Sequence, residues 1–249
     1  MTEWYKEAFD EFYLEVYPHR DEKEARKFAA FLGKTVPLEG VRILDVCCGE
    51  GRHMRAFTDQ GATCFGLDLS EALLKNLKAK RGGRSLHVAR GDMRRFPFKD
   101  GSLDVCLSMF SSFGYFEDRR EEQEVLLEAS RVLRRGGTFV LDHANARWVR
   151  SNLEPHTVRE GEGLLIEETR KLASAGNLIE KRTVIRSAED RAVVRDYTER
   201  LALFSKIELE AMLKEAGFEV IGFCGGYDGS IFEEESSSRL VILARKVNV

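Results

Sequence analysis

Between Val41 and about residue 145 the chain repeats one unit, a short apolar run followed by a segment of helical periodicity. The runs are VRILDVC, TCFGLDL, SLHVARGD, SLDVCLSMF and GGTFVLDH, and helices are expected from about Arg52 to Gln60, in SEALLKNLKAK and in EEQEVLLEASRVL. Strands that are apolar on both faces must be covered on both faces, and intervening helices supply the crossovers that parallel strands need. The pattern predicts an α/β, doubly wound core over 41–145.

The flanks follow other periods. Over 3–17, Trp4, Ala8, Phe12 and Val16 form one helical stripe and Tyr5, Phe9, Tyr13 and Tyr17 the next, which predicts an amphipathic helix ended by Pro18. A second helix is expected over 21–32, so 1–37 reads as an N-terminal helical extension or lid. After Pro155, two or three antiparallel strands are expected, turned at Ala175-Gly176-Asn177 and Ala188-Glu189-Asp190, as an insertion over 155–204. A helix over 205–216, stopped by Gly217, and the runs FEVIGFC and RLVILARKV complete the core over 205–249. The whole of 1–249 is thus expected to form a single domain.

Composition narrows the function classes. With 43% hydrophobic and 33% charged residues and four prolines, the chain is neither disordered nor collagen-like. Thirty-nine basic against 42 acidic residues give a net charge of -3, which disfavours nucleic acid as a partner while leaving a local basic patch open. No apolar run approaches a membrane span, and the acidic start lacks the apolar core of a signal peptide. Cys47, Cys48, Cys64, Cys106 and Cys224 are an odd set with no Cys-x-x-Cys spacing, which predicts reduced thiols, a cytoplasmic protein and no structural metal.

The segment Ile43-Leu44-Asp45-Val46-Cys47-Cys48-Gly49-Glu50-Gly51-Arg52-His53 carries the most chemistry. A strand running into closely spaced glycines and then a helix lets backbone approach a ligand at the carboxyl end of a sheet. Asp68 closes the second strand, where a carboxylate can accept both hydroxyl hydrogens of a ribose, and Asp92-Met93 closes the third as an acid and apolar pair suited to adenine. Met54 stands where a dinucleotide fingerprint prefers a small residue, and no Gly-Lys-Ser/Thr cradle exists for a triphosphate. One nucleoside with a small charged tail fits better than a pyrophosphate.

On these residues, joined to Gly66-Leu67-Asp68-Leu69-Ser70, Gly91-Asp92-Met93 and Leu133-Arg134-Arg135-Gly136-Gly137-Thr138, the chain resembles the class I S-adenosylmethionine-dependent methyltransferases. The likeness covers most of 41–145 and resumes in the final helix and two strands, and it extends to the small-molecule N-methyltransferases of that family. It implies a Rossmann-like seven-stranded sheet of order 3-2-1-4-5-7-6 with an antiparallel last strand. It also implies S-adenosyl-L-methionine as cofactor, with Asp45, Cys47, Gly49, Gly51, Asp68, Leu69, Asp92, Met93, Met109 and Phe110 around it. Asp45 either positions the cofactor or holds the loop; Arg52 and His53 are candidates for its carboxylate. Cys48 departs from the small residue usual in that loop.

The acceptor should approach after the fourth strand, near Ser108-Met109-Phe110-Ser111-Ser112-Phe113-Gly114-Tyr115-Phe116. Neither an Asn/Asp-Pro-Pro-Tyr/Phe clamp nor a Pro-Cys pair is present there, which argues against DNA bases and glutamine. Methyl transfer needs alignment and an unprotonated acceptor, so His143 after the fifth strand is the candidate general base. Tyr13 and Tyr17 are candidates to close over the cleft with His19, and Tyr197, Arg200, Tyr227 and Asp228 are weaker candidates for acceptor contact. The expected activity is methyl transfer to an amine or hydroxyl of a small-molecule acceptor, with homodimerisation through the inserted strands. The competing readings are an RNA or other macromolecular methyltransferase and a protein that binds the cofactor without turnover.

Overall fold

A computed structural model of the chain describes residues 3–10, 12–17 and 21–247. Its main sheet has seven strands: β1 (Arg42–Val46), β2 (Thr63–Asp68), β3 (Leu86–Arg90), β4 (Leu103–Ser108), β5 (Leu133–Ala144), β10 (Phe218–Cys224) and β11 (Arg239–Lys246). Their order is β3-β2-β1-β4-β5-β11-β10, with β11 antiparallel to both neighbours and the others parallel. This is the α/β, seven-stranded order expected from the sequence. Two apolar clusters, one built on Leu44, Cys106, Phe139 and Ile242 and the other on Ile43, Val105, Val140 and Val241, cover the two faces. Consecutive strand residues divide between them, as the pleat requires.

The helices are α2 (Glu22–Leu32), α3 (Arg52–Thr58), α4 (Glu71–Lys80), α5 (Arg119–Val132), α6 (Ala146–Asn152) and α7 (Lys206–Glu215), after a short α1 (Tyr13–Val16). Side chains stop their first turns: Asp21, Ser70, Asp118 and Asn145 each accept a backbone N–H, and Ser205 with Glu208 forms a reciprocal capping box. Gly66 on β2 makes room for the glycine loop, because a Cβ there would stand 2.7 Å from Cys48 Sγ and 2.6 Å from Met54 Sδ. Space under the loop for Cys48 and Met54 therefore comes from the neighbouring strand.

Two expectations fail in the flanks. The continuous helix expected over 3–17 is a 3-10 turn at Trp4–Lys6, bends, and the four residues of α1. Aromatic residues are modest helix formers, and these pack outward from the chain: Trp4 lies 4.9 Å from Tyr115 and Tyr5 lies 5.6 Å from Phe116, ring to ring. Ser70 Oγ takes the Phe9 carbonyl at 2.5 Å, drawing it away from a helical ladder. His19 lies outside the described residues. The insertion holds four antiparallel strands in sequence order, β6 (His156–Gly161), β7 (Leu164–Ala173), β8 (Leu178–Ser187) and β9 (Val193–Ala202), where two or three were expected. The extra one, HTVREG, is largely exposed and has little apolar signal. No helix among the described residues is long and apolar enough to cross a membrane.

Candidate active site

At the carboxyl end of the parallel strands, a cavity of about 670 Å³ opens between the glycine loop, the ends of β2 and β3, the loop after β4 and the N-terminal strap. Asp68 lines it and is fixed by its backbone surroundings: its Oδ2 accepts the Gly49 N–H at 2.7 Å and its Oδ1 accepts the Ser70 N–H at 2.8 Å. Burial raises its pKa, and the backbone donors oppose that rise. Each carboxylate oxygen keeps a lone pair for a further donor.

Asp92 lines the same cavity beside Met93. Partial burial works against its ionisation, but Arg94 outweighs it by binding both carboxylate oxygens, at 3.0 and 2.6 Å, and holds the pKa below the usual range. Leu69, Ser70 and Leu73 form one wall; Tyr5, Phe9, Tyr115 and Phe116 form the aromatic wall. Glu122 of α5, fully buried, accepts the Gly114 and Phe116 N–H groups at 3.0 and 2.8 Å and so fixes the loop that carries Tyr115.

A second cavity of about 450 Å³ continues from the first, and Cys47, Gly49, Ser112 and Tyr13 line both. Asp45, Arg52, His53, Met109 and Phe110 complete it. Asp45 is the informative residue. Its Oδ2 is buried without a hydrogen-bond partner, and burial pushes its pKa up to about 7 against the opposing Arg52 charge. An unpaired carboxylate in a cavity calls for a cation. Arg52 extends over the Phe110 ring at 3.8 Å and pairs with Glu24 at 3.1 Å, while His53 is held neutral, its pKa pushed well down by burial and by Arg52.

The two connected cavities thus offer a carboxylate with lone pairs left for a diol, an end both apolar and acidic, and a buried carboxylate beside an arginine. That donor set fits the nucleoside and the zwitterionic tail of S-adenosylmethionine. Gly49 belongs to this cradle at φ 54°. Gly51 does not line it: its φ is 77°, and a Cβ would stand 2.6 Å from Leu77 Cδ1, so packing of α4 demands that glycine and not ligand approach.

A third, open cavity of about 1340 Å³ adjoins these two and shares Phe9, Tyr115 and Phe110 with them. Its aromatic side includes Trp4 and Trp148, and its far side is the inserted sheet, with Arg170, Lys181, Glu199 and Tyr17. Tyr17 donates to Glu199 Oε2 at 2.6 Å and receives a hydrogen bond from Lys181. Sequence reasoning missed Glu168, Arg170, Lys181 and Glu199. They pair across β7, β8 and β9, with Arg170 opposite Lys181 and Lys181 opposite Glu199 in register. Charges alternating along a strand read as a solvent face, and nothing local reveals that this face turns inward.

His143 is a correction. It is fully buried, lines none of these cavities, packs 5.7 Å from the Phe204 ring, and meets the backbone at Phe204 N, 3.5 Å from Nε2, and at Ala202. Burial lowers its pKa to about 3, which leaves a poor proton acceptor away from the site. The neighbouring Asp142 faces the site's supports instead, accepting the Phe110 N–H at 2.7 Å, Arg239 Nε at 2.8 Å and the Tyr227 hydroxyl. Phe110 and Ser111 have φ values of 58° and 56°, and this network holds that strained turn at the junction of the cavities. Tyr197 and Arg200 line none of the three cavities, and Asp228 lies on a separate polar groove with Asp21 and Lys27.

Comparison with known proteins agrees with this geometry. A family model described as a methyltransferase domain matches residues 44–141. The cypemycin N-terminal methyltransferase of a Streptomyces species is 27% identical over 87% of this chain and 88% of its own length. The dTDP-3-amino-3,4,6-trideoxy-alpha-D-glucopyranose N,N-dimethyltransferase of Streptomyces venezuelae is 28% identical over 83% of this chain and 86% of its own length. The fold matches the solved structure of the CcbJ methyltransferase from Streptomyces caelestis, with a TM-score of 0.82, 19% identity and 100% of both chains covered. With its glycine loop, its strand-end acids and its seven-stranded sheet, the chain carries a methyltransferase domain over 44–141 and has the fold of S-adenosylmethionine-dependent methyltransferases.

Proposed function

We propose that this enzyme methylates an amine nitrogen of a small molecule that enters through the aromatic cavity against the inserted sheet. The observation that carries the reading is the meeting of that cavity with the two cofactor cavities at Phe9, Tyr115 and Phe110. The names of the two Streptomyces relatives, an N-terminal methyltransferase and an N,N-dimethyltransferase, support nitrogen as the receiving atom.

S-adenosylmethionine, when bound, supplies a methyl carbon activated by its sulfonium for in-line displacement. The chain's own residues supply position. Asp68 accepts from the ribose, Asp92 and Met93 border the adenine, Asp45 pairs with the ammonium, and Arg52 with neutral His53 faces the carboxylate. Phe9, Tyr13 and Tyr115 exclude water along the junction, which strengthens every polar contact inside. Tyr17 acts through the Glu199 carboxylate it holds, as a positioning residue. Among the described residues, His143 is turned into the core and His53 has its pKa pushed well down by burial, so the rate comes chiefly from aligning an amine that arrives or becomes neutral, and alignment alone can contribute several orders of magnitude.

The reading extends to a cytoplasmic enzyme, supported by five free cysteines, and to a homodimer along the inserted sheet, whose edge strands β6 and β9 expose Val158 and Val193 by about half. Titration with S-adenosylhomocysteine and with NAD, followed by methyl transfer to a panel of amines, phenols and RNA, tests the function. Preference for S-adenosylhomocysteine and turnover on amines are expected. Turnover confined to RNA or to phenols would overturn the amine assignment.

A further inference from the structure

The charges of the acceptor cavity are already matched to one another, and this selects among amines. Three cations line it, Arg170, Lys181 and Arg239. Arg170 binds Glu168 at 2.6 Å, Lys181 lies 2.7 Å from Glu199 and 3.2 Å from Glu168, and Arg239 binds the fully buried Asp142 at 2.7 Å. A phosphate or carboxylate entering here would lie beside Glu168, Glu199 and Asp142 and compete with them for the cations, which weakens its binding. A cation meets an acceptor not yet taken. Glu199 lines the cavity, and its Oε1 is buried without a hydrogen-bond partner. The opposite walls are π faces, Trp4, Phe9, Tyr115 and Trp148, which attract ammonium groups.

We propose that the acceptor is an amine that binds as its ammonium on an aromatic or apolar body, free of phosphate and carboxylate, with an N–H group received by Glu199 Oε1, to which it passes one proton so that the nitrogen lone pair is free for the methyl group. This rests on the amine reading above and narrows it: a nucleoside diphosphate sugar, the substrate class named for the Streptomyces venezuelae relative, is disfavoured by the pairing of Arg170, Lys181 and Arg239. The selectivity follows from the inserted sheet, because Arg170, Lys181 and Glu199 stand on adjacent strands in register.

Calorimetric titration of the protein saturated with S-adenosylhomocysteine tests this with three probes: phenethylamine, 3-phenylpropionate and thymidine diphosphate. Phenethylamine should bind at least tenfold more tightly than either anion. Glu199→Gln should weaken phenethylamine at least tenfold while leaving S-adenosylhomocysteine affinity unchanged, and Trp4→Leu, at the cavity rim, should weaken it severalfold by a route independent of Glu199. Equal or tighter binding of either anion, no binding of phenethylamine, or indifference to both substitutions would overturn the proposal. Failure to bind S-adenosylhomocysteine would instead sink the cofactor assignment. Turnover on a thymidine diphosphate amino sugar alone would keep amine methylation and sink only the acceptor class.

Discussion

At the scale of single residues, Asp45 is where chemistry and structure meet most directly. Its carboxyl is buried, lacks a partner at Oδ2 and has its pKa pushed up to about 7 by burial. An ammonium can pair with it only once it is ionised, so cofactor binding should release a proton and tighten as pH rises towards neutrality. From a pKa of about 7, S-adenosylhomocysteine affinity should fall roughly 30-fold between pH 8 and pH 5.5. Asp45→Asn should bind weakly at every pH and without that slope. Calorimetry across pH 5.5–8 measures both; a flat wild-type profile would remove Asp45 from the ammonium site. That Asp45, Asp68 and Asp92 line the cavities was legible in the sequence because each sits where a strand runs into a loop, a position set by pattern alone. Between Asp142 and His143 the sequence offers no such guide. Adjacent strand residues face opposite ways, and only the packed structure shows that Asp142 takes the site side and His143 the core.

At the scale of elements, the parallel strands and capped helices were readable because their periods and start signals agree with the fold. The N-terminal segment was not, since its aromatic residues match a helix by spacing and yet pack individually on the loop after β4. The Phe9 carbonyl bound by Ser70 and the contacts of Trp4 and Tyr5 with that loop make the segment a strap across the cofactor cavity. A strap whose own regular structure is one 3-10 turn and a four-residue helix opens at low free energy. Cofactor entry requires such an opening, and filling the cavity gives Tyr5, Phe9 and Tyr13 a surface to close on. Hydrogen exchange across 3–17 should therefore slow at least tenfold on saturation with S-adenosylhomocysteine, while the amides of β1 and β4 change little. Unaltered exchange in the strap would mean that it is fixed packing and that the cofactor enters elsewhere. The inward-facing charges of β7, β8 and β9 were equally illegible, because an alternating charged pattern carries no record of which side of a sheet is buried.

At the scale of the whole molecule, the site and the core beside it leave a mark on stability through four buried groups of opposite character. Burial raises Asp45 and Glu122 to about 7, lowers His143 to about 3 and pushes His53 well down. For the two acids the folded chain holds protons that the unfolded chain has lost above about pH 4, so their contribution to stability declines as pH rises from about 4 to about 7. For the two histidines the unfolded chain takes up protons below about pH 6.5 that the folded chain refuses, so their contribution declines as pH falls through that value. Between pH 5 and 6.5 the two trends oppose each other, and removing one member of either pair should tilt the balance. Relative to wild type, Asp45→Asn should gain stability as pH rises across this window, and His143→Asn should gain as pH falls. Each relative slope is at most about 1.4 kcal/mol per pH unit, the value of one proton. Both differences cancel the many surface ion pairs, which the variants share with the parent. Denaturant unfolding of the cofactor-free proteins at pH 5, 5.75 and 6.5 reads the slopes. Parallel pH profiles for the parent and Asp45→Asn would show that Asp45 ionises normally in the fold, and the unpaired carboxylate that anchors the cofactor assignment would be lost with it.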